Sequence, residues 1–377
     1  MKGSHIWAVA RKELNHILRD KTAFFLVAFT PTLLLLLMAY ALTVNIRHVP
    51  IAVLDYDRSA LSRAFVQRLV AGDDLDLWMQ ATSMEEIETA LNEGKIKAAL
   101  ILSPEFSRDL LAVRGMPMQI VIDGTEPESG YFAVDHIVSR AEAFADSVLA
   151  NQMQAMGISQ ELLSPLDVRV RAWYNPGLKS RNDIIPGLIS MVLGLPALSV
   201  ALALAHEREH GTLEQLLATP IGKWEILLGK MLPYLFAGML NAALLPLLAE
   251  AWFDVPFNGS FLLFLALSAV FLFSILGMGI VIGVFMKTQA AALALSFLMI
   301  FYPGFFLTGI FFPVVSMPEA MRMEAMEMPG THFAIIAREI FLPGVGLEAL
   351  WSYTVMLILL GVAFYGIAAL FFSKKLG

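Results

Sequence analysis

Residues 184–205 run for 22 positions without one Asp, Glu, Lys or Arg. A surface helix of a soluble protein needs a polar face, and this run has none. It is instead long enough to cross a bilayer, whose core takes roughly 20 apolar helical residues. Five further runs of spanning length lack charge, at 22–42, 231–249, 260–286, 290–315 and 349–372. Charged residues make up only 16% of the chain, against about 25% in soluble domains. These runs predict a membrane protein, mainly α, with six transmembrane helices; the end of the fifth run reads as a segment that only dips into the bilayer.

The first run could be mistaken for a secretory signal, since Ala39-Tyr40-Ala41 has the form of a cleavage site. Its 21 apolar residues exceed the usual ~7–15 of a cleaved signal, so an uncleaved helix is expected. Lys and Arg near the spans set orientation. With the N-terminus inside, Lys2, Arg11, Lys12, Arg19, Lys21, Arg208, Lys223, Lys230, Lys287, Lys374 and Lys375 fall on the cytoplasmic side. Only Arg322 and Arg338 fall in the two short outer connections. Both termini are therefore expected in the cytoplasm, with no charged residue inside a span. Cysteine is absent, which excludes disulfides, thiol catalysis and thiolate metal sites. Of the 33 acids, 20 sit in segment 45–183, so the net charge of −7 says little about partners. No basic patch points to nucleic acid.

Segment 45–183 alternates between strand-like and helical patterns. Strands are expected at 50–55, 75–80, 98–102, 118–122 and 168–174. Helices are expected at 59–70, from a capping box of Ser83 and Glu86, at 104–113, and over 128–156. This is the pattern of a small α/β domain, emerging from the first span and returning to the second. Before the first span, residues 1–21 place apolar positions at helical spacing among basic ones, as in a helix lying on anionic headgroups. The chain thus divides into an interface helix (1–21), span one (22–42), an extracytoplasmic α/β domain (45–183), spans two to six (184–372) and a tail (373–377). The last division holds a charged segment at 206–230 and, at 311–348, four prolines that break the chain into interfacial or re-entrant pieces.

The charged segment begins HEREHGTLEQLLATPI at residue 206. His206-Glu207-x-x-His210 has the spacing of a zinc protease helix. Gly211 follows at once, the acids lie among other charges at a membrane edge, and no other ligand cluster appears in the spans. The other reading is mechanical: a helix ends, Gly211 turns the chain, Thr212 caps a short helix over 213–219, and Pro220 ends it. Glu207, Arg208 and Glu209 would then face a partner or pair with Arg11 or Lys12. Gly279 and Gly283 form a GxxxG, read as packing within the chain before a dimer seam. Asn241, alone in an apolar helix, reads as one interhelical hydrogen bond. Met317, Met321, Met323, Met326 and Met328 read as an adaptable apolar surface before a Cu(I) site. Asp55, Asp57 and Asp123 at strand ends read as turn and cap residues.

HEREHGTLEQLLATPI resembles the signature segment of ABC type-2 permeases. RKELNHILRDK before span one is similar to the family's interface helix. IAVLDYDRSALSR, EGKIKAALILSPEFSRDL and VIDGTEP resemble the outer domain of its multidrug-type branch, and LTGIFFPVVSMPEAM its outer re-entrant segment. Pro329-Gly330-Thr331-His332-Phe333 departs from the family's Pro-Leu/Ala-Arg/Thr-Tyr-Phe run. The resemblance implies the transport subunit of an ATP-driven exporter in the bacterial inner membrane. It implies half of a dimeric pathway, formed with itself or a similar chain and lined mainly by spans two and five. ATP and Mg would be bound by a separate ATP-binding cassette subunit, and a periplasmic adaptor and outer-membrane channel could join. Residues of the 206–230 segment, namely Glu207, Arg208, Glu209, Gly211, Thr212, Glu214 and Pro220, with Arg11 and Lys12, would couple that subunit to the spans. No G-x-x-x-x-G-K-[ST] loop occurs: Gly94-Lys95 is followed by Ile96, Gly222-Lys223 by Trp224 and Gly229-Lys230 by Met231. The chain is thus not expected to be an enzyme, and holds no cofactor or metal of its own. The alternatives are the zinc protease and a receptor or anchor that binds without transporting.

Overall fold

The computed structural model describes residues 3–43, 48–156, 173–175 and 179–372, the side chains of residues 22, 23, 127, 128, 214 and 217 excepted. The chain forms two compact units, one of Met1–Val44 with Arg171–Gly377, the other of Asn45–Val170. The first opens with α1 (Gly3–Arg19), α2 (Lys21–Ala28) and α3 (Thr30–Leu42). The single first span expected over 22–42 is thus divided at Phe29, and Pro31 is the reason. Its ring nitrogen has no proton to give the Val27 carbonyl four residues back. That orphaned carbonyl instead accepts from Asn241 Nδ2 at 3.1 Å.

The second unit is an α/β layer. Its elements are β1 (Val49–Asp55), α4 (Ala60–Leu69), β2 (Leu75–Ala81), α5 (Met84–Asn92), β3 (Ala98–Leu102), α6 (Phe106–Leu111), β4 (Met118–Ile122) and α7 (Pro127–Ala155). The strands lie in the order β2-β1-β3-β4; β1 is parallel to β2 and β3, and β4 is antiparallel to β3. The alternation of side chains along β1 sends Ile51 and Val53 into a core with Phe65, Phe106 and Phe144. It sends Ala52 and Leu54 to the opposite face, against Ile87 of α5. Ser59 caps α4 by accepting from Ser62 N at 2.9 Å. Ser83 accepts from Glu86 N at 3.4 Å, but the return bond of the expected box is shifted: Glu86 takes the N–H of Thr82 at 2.8 Å. Most of the strand expected at 168–174 lies outside the described residues; Trp173 and Tyr174 form a bend.

Turn and cap duty accounts for the three strand-end acids. Asp55 accepts the backbone N–H of Asp57 and Arg58 at 3.0 and 2.9 Å. Asp123 accepts that of Thr125 at 2.9 Å and stands 3.7 Å from Lys97 Nζ. Asp57 pairs with the Ser107 hydroxyl. Burial works to raise its carboxyl, but hydrogen bonds from Ser107 and Ser59 outweigh it and hold Asp57 below the usual carboxylate value.

Back in the first unit, α8 (Ser180–Val192) and α9 (Leu195–Glu209) follow each other, then α10 (Thr212–Leu217), α11 (Lys223–Phe253) and α12 (Phe261–Phe285). Next come α13 (Gln289–Ser296), a π-turn at Phe297–Phe301, and α14 (Tyr302–Phe306). The wide turn sits immediately before Pro303, where an ordinary helical bond cannot form. Among the described residues five helical stretches are long and apolar enough to cross a membrane: Ser180–Glu209, Lys223–Phe253, Phe261–Phe285, Gln289–Phe306 and Leu347–Phe371. The helix that carries the third expected span therefore begins at Lys223 rather than at residue 231, so Lys230, expected as a flanking charge, lies within that helix. After α14 the chain does break into pieces: a short turn at Val314–Ser316, α15 (Glu319–Glu327) and α16 (Pro329–Phe341) before α17 (Leu347–Phe371). Pro313 and Pro318 stand just before two of these pieces and Pro329 opens the third, the places where a missing N–H costs nothing. Met317 packs with Leu307 and Ala325, while Met321, Met323 and Met326 are exposed.

The centre of the first unit is α12. A Cβ on Gly279 would collide with the Ala197 carbonyl, and one on Gly283 would come within 2.7 Å of Leu204 Cβ. The GxxxG therefore lets α12 lie against α9 of its own chain.

Candidate functional site

At the end of the helical unit where α9 stops and α11 starts, three helices meet around buried charge. Lys230, on α11, is 1% exposed. Its ammonium lies 3.0 Å from Glu13 Oε2 of α1 and 2.8 Å from Glu207 Oε2 of α9. Glu207 Oε1 accepts from Lys12 Nζ at 2.7 Å, and Glu13 Oε1 from the Tyr234 hydroxyl at 3.0 Å. Two ammonium groups and two carboxylates thus alternate in one set of contacts, with a phenol filling the last position and only Lys12, half exposed, reaching solvent. The balance matters: a buried charge is tolerated when paired, and deleting one partner typically costs about 3–5 kcal/mol.

The sequence permits this approach through Gly229. A Cβ there would come within 2.6 Å of Val9 Cβ and 2.9 Å of the Ile6 carbonyl, so α1 can press onto α11 only because position 229 is bare. One turn away, His5 Nδ1 meets Glu225 Oε2 at 2.9 Å, and Glu225 also receives the Gly222 N–H at 2.8 Å, closing the first turn of α11.

The predicted coupling residues separate into two groups. Glu207 does pair with Lys12, as one arm of the expectation had it, but from a buried position. Arg208 turns back to the end of α12 and donates to the carbonyls of Val284 and Met286 at 2.5 and 3.4 Å. Glu209 accepts the backbone N–H of Gln289 at 3.0 Å, at the start of α13, where a helix favours an anion. These three charges tie helix ends together within the chain. Gly211 has φ +69°, the left-handed residue that ends a helix. Thr212 lies inside α10 rather than capping it, and its hydroxyl donates to the Glu207 carbonyl at 3.2 Å. On the outward side stand Thr212, Gln215, Ala218 and Pro220, all exposed, as is Arg11 on α1. The side chain of Glu214 lies outside the described residues.

The zinc reading finds no support in this geometry. His210 Nδ1 is 2.9 Å from the His206 carbonyl, and the two rings pack at 4.1 Å. His206 borders a cavity of about 180 Å³ shared with His16, Asp20, Ser199, Tyr234 and Gln289. Among the described residues no three His, Asp or Glu side chains converge to hold a metal ion. Sequence reasoning missed Glu13, Lys230 and Tyr234. Their signal was present: Glu13, Lys230 and Tyr234 are polar groups on otherwise apolar helix faces, and Gly229 sits beside Lys230.

Long apolar helices fastened by buried, balanced charge define a polytopic membrane protein. Residues 21–370 match the family described as ABC-2 family transporter protein, and the chain belongs to that family. It is similar to "Probable multidrug ABC transporter permease YbhS" of Escherichia coli strain K12, at 28% identity over 98% of this chain and 97% of that one. It is similar to "Inner membrane transport permease YhhJ" of the same strain, at 29% identity over 99% and 98%. A third relative, "ABC transporter G family member 20" of Dictyostelium discoideum, is 22% identical over 91% of this chain but only 47% of its own length.

Proposed function

We propose that the chain is the permease subunit of an ATP-driven exporter of drugs or other amphiphilic compounds in the bacterial inner membrane. Its ionic end faces the cytoplasm, its α/β unit the periplasm, and it works as half of a dimeric pathway. ATP and Mg are bound by a separate cassette subunit. The observation that carries this reading is the ionic set joining α1, α9 and α11 directly behind α10. A partner pressing on the exposed Thr212, Gln215, Ala218 and Pro220 would move α9 through the Thr212–Glu207 bond and, through Lys230 and Lys12, α11 and α1 with it. Docking would thus be read by the exposed side of α10, and transmission by Glu207, Glu13 and Lys230. Membership of the ABC-2 family, and relatives named as multidrug and inner-membrane permeases, support the same assignment. A periplasmic adaptor and outer-membrane channel would meet the α/β unit.

The test is co-purification with a cassette subunit from native membranes. Substitution of Gln215→Arg on the outward side of α10 is expected to abolish that association while leaving the permease folded. Export should cease when the cassette subunit is deleted. A permease that purifies without any ATPase, with export indifferent to its deletion, sinks the reading.

A further inference from the structure

At the end of the bundle away from the ionic set, one cation joins three elements. Arg338, on α16, is 16% exposed at its side chain. Its Nη2 donates to the Gly309 carbonyl at 2.9 Å and Nη1 to that of Thr308 at 3.3 Å, in the turn that leaves the fifth span. Its Nε reaches the Asp183 carbonyl at 3.2 Å and the Asp183 carboxylate at 3.0 Å, at the start of the second. The seat is built for a guanidinium. A Cβ on Gly187 would come within 2.8 Å of Nη2, and Gly309 holds its turn at φ +78°.

One turn further in, the same seam is closed by weaker bonds, from Ser190 Oγ to the Gly330 carbonyl at 3.1 Å and from Thr331 Oγ1 to that of Leu307 at 3.3 Å. Beneath them an apolar cavity between Met191, Ile275, Ile300, Pro303 and Pro329 is reduced to about 20 Å³, room for about one water. Ile185, Leu188 and Ile189 of α8 and Phe333, Ile336 and Ile340 of α16 share one buried apolar core at this end, but the polar fastener between α8 and the turn at 308–309 is one side chain bound mainly to carbonyls, and water can take the place of a carbonyl at a guanidinium that is partly exposed.

We propose that Arg338 is the latch of the seam between the second and fifth spans, a positioning residue whose release from the Thr308 and Gly309 carbonyls opens that seam to the periplasm. The inference rests on the permease reading for its role in export, but its test does not. The chain contains no cysteine, so a single introduced thiol reports alone. In the full-length protein in spheroplasts, Ser190→Cys is labelled with a membrane-impermeant thiol reagent, with Ser199→Cys as the position toward the ionic end. Arg338→Gln is expected to speed labelling at 190 about tenfold, given the loss of bonds from a charged donor, and to leave 199 unchanged. Arg338→Lys keeps the charge but not the fork, and should speed it about threefold. An unchanged rate at 190 in folded Arg338→Gln, or an equal rise at 199, overturns the latch. Should Arg338→Gln fail to fold, Arg338→Lys decides: a rise confined to 190 supports the latch and no rise refutes it. Absence of an ATPase partner would remove the permease reading and leave these rates as they are.

Discussion

The two ends of the helical bundle are fastened by different chemistry. At the ionic end Lys12, Glu13, Glu207 and Lys230 hold one another, side chain to side chain, with a full complement of opposite charges. At the other end Arg338 holds mainly carbonyls, and its one ionic partner, Asp183, is 55% exposed at its side chain. This set is dry at its centre and open only at Lys12, which is half exposed; it loses heavily when Lys230 leaves, because Glu13 and Glu207 stay buried. A cation on carbonyls beside water loses less, because water substitutes. One end is therefore a joint that has to stay made, and the other a closure that can be undone.

Lys230→Met is the sharpest way to break that contrast. It strands Glu13 and Glu207 in a dry site and is expected to cost about 3–5 kcal/mol, read as a collapse of folded yield and of the detergent melting temperature. A tolerated Lys230→Met would mean that water reaches the cluster. Gly229→Val comes next: α1 has to lift off α11, at about 1–3 kcal/mol, and the ionic set should open although no charge has changed. A Gly229→Val protein that melts with the wild type would mean that the charges, not the close contact, hold α1 in place. Asp183→Asn at the arginine end should cost under about 1 kcal/mol, as exposed pairs do. A loss as large as that of Lys230→Met would erase the distinction between the ends.

The smallest effect lies in the α/β unit. Asp57 and Asp123 are held below their usual values, Asp57 by Ser107 and Ser59 against its burial and Asp123 by Thr125 and then Lys97. Lys97 is held above its own by Glu126. The acids therefore stabilise the unit above about pH 4 and lose that contribution as the pH falls through their folded values; the lysine stabilises it below about pH 10 and loses that above. The protection factors of the β1 and β3 amides in the intact protein, with the intrinsic pH dependence of exchange divided out, should fall only outside that window. A fall in protection between pH 5 and about pH 9 would show that some other group governs the unit.

Periodicity and charge-free runs made the helices and strands legible, because each reports one face of one element. β1 to β4 fall within a residue or so of the pattern in the letters. What failed were features that need two elements at once. The break at Phe29 required knowing that Pro31 sits mid-span with a donor available from α11. Lys230 was read as a flanking charge because a run of uncharged residues marks where charge is absent, not where a helix begins. For Glu207, Arg208 and Glu209 the letters left two directions open, toward a partner or toward Arg11 and Lys12; Glu207 takes the second, while the bonds of Arg208 to residues 284 and 286 and of Glu209 to residue 289 could not be read until those residues were brought beside them. The shifted bond of Glu86 to Thr82 is a smaller instance, since a capping box fixes the residue types but not which N–H the carboxylate takes.

The bond from Asn241 to the carbonyl that Pro31 leaves open has a consequence for motion. An uncompensated proline is a swivel, able to bend in several directions. Here the missing rung is lent by a neighbour, so the bend is fixed in both angle and bearing. The N-terminal helices are then pinned to α11 at three places, at Glu13–Lys230 from α1, at Val27–Asn241 from α2 and at Tyr40–Trp252 from α3, and three pins spread along one helix leave it little room to slide or swing. The front of this bundle can therefore behave as one block, and displacement at α1 carries α2, α3 and the whole length of α11 with it.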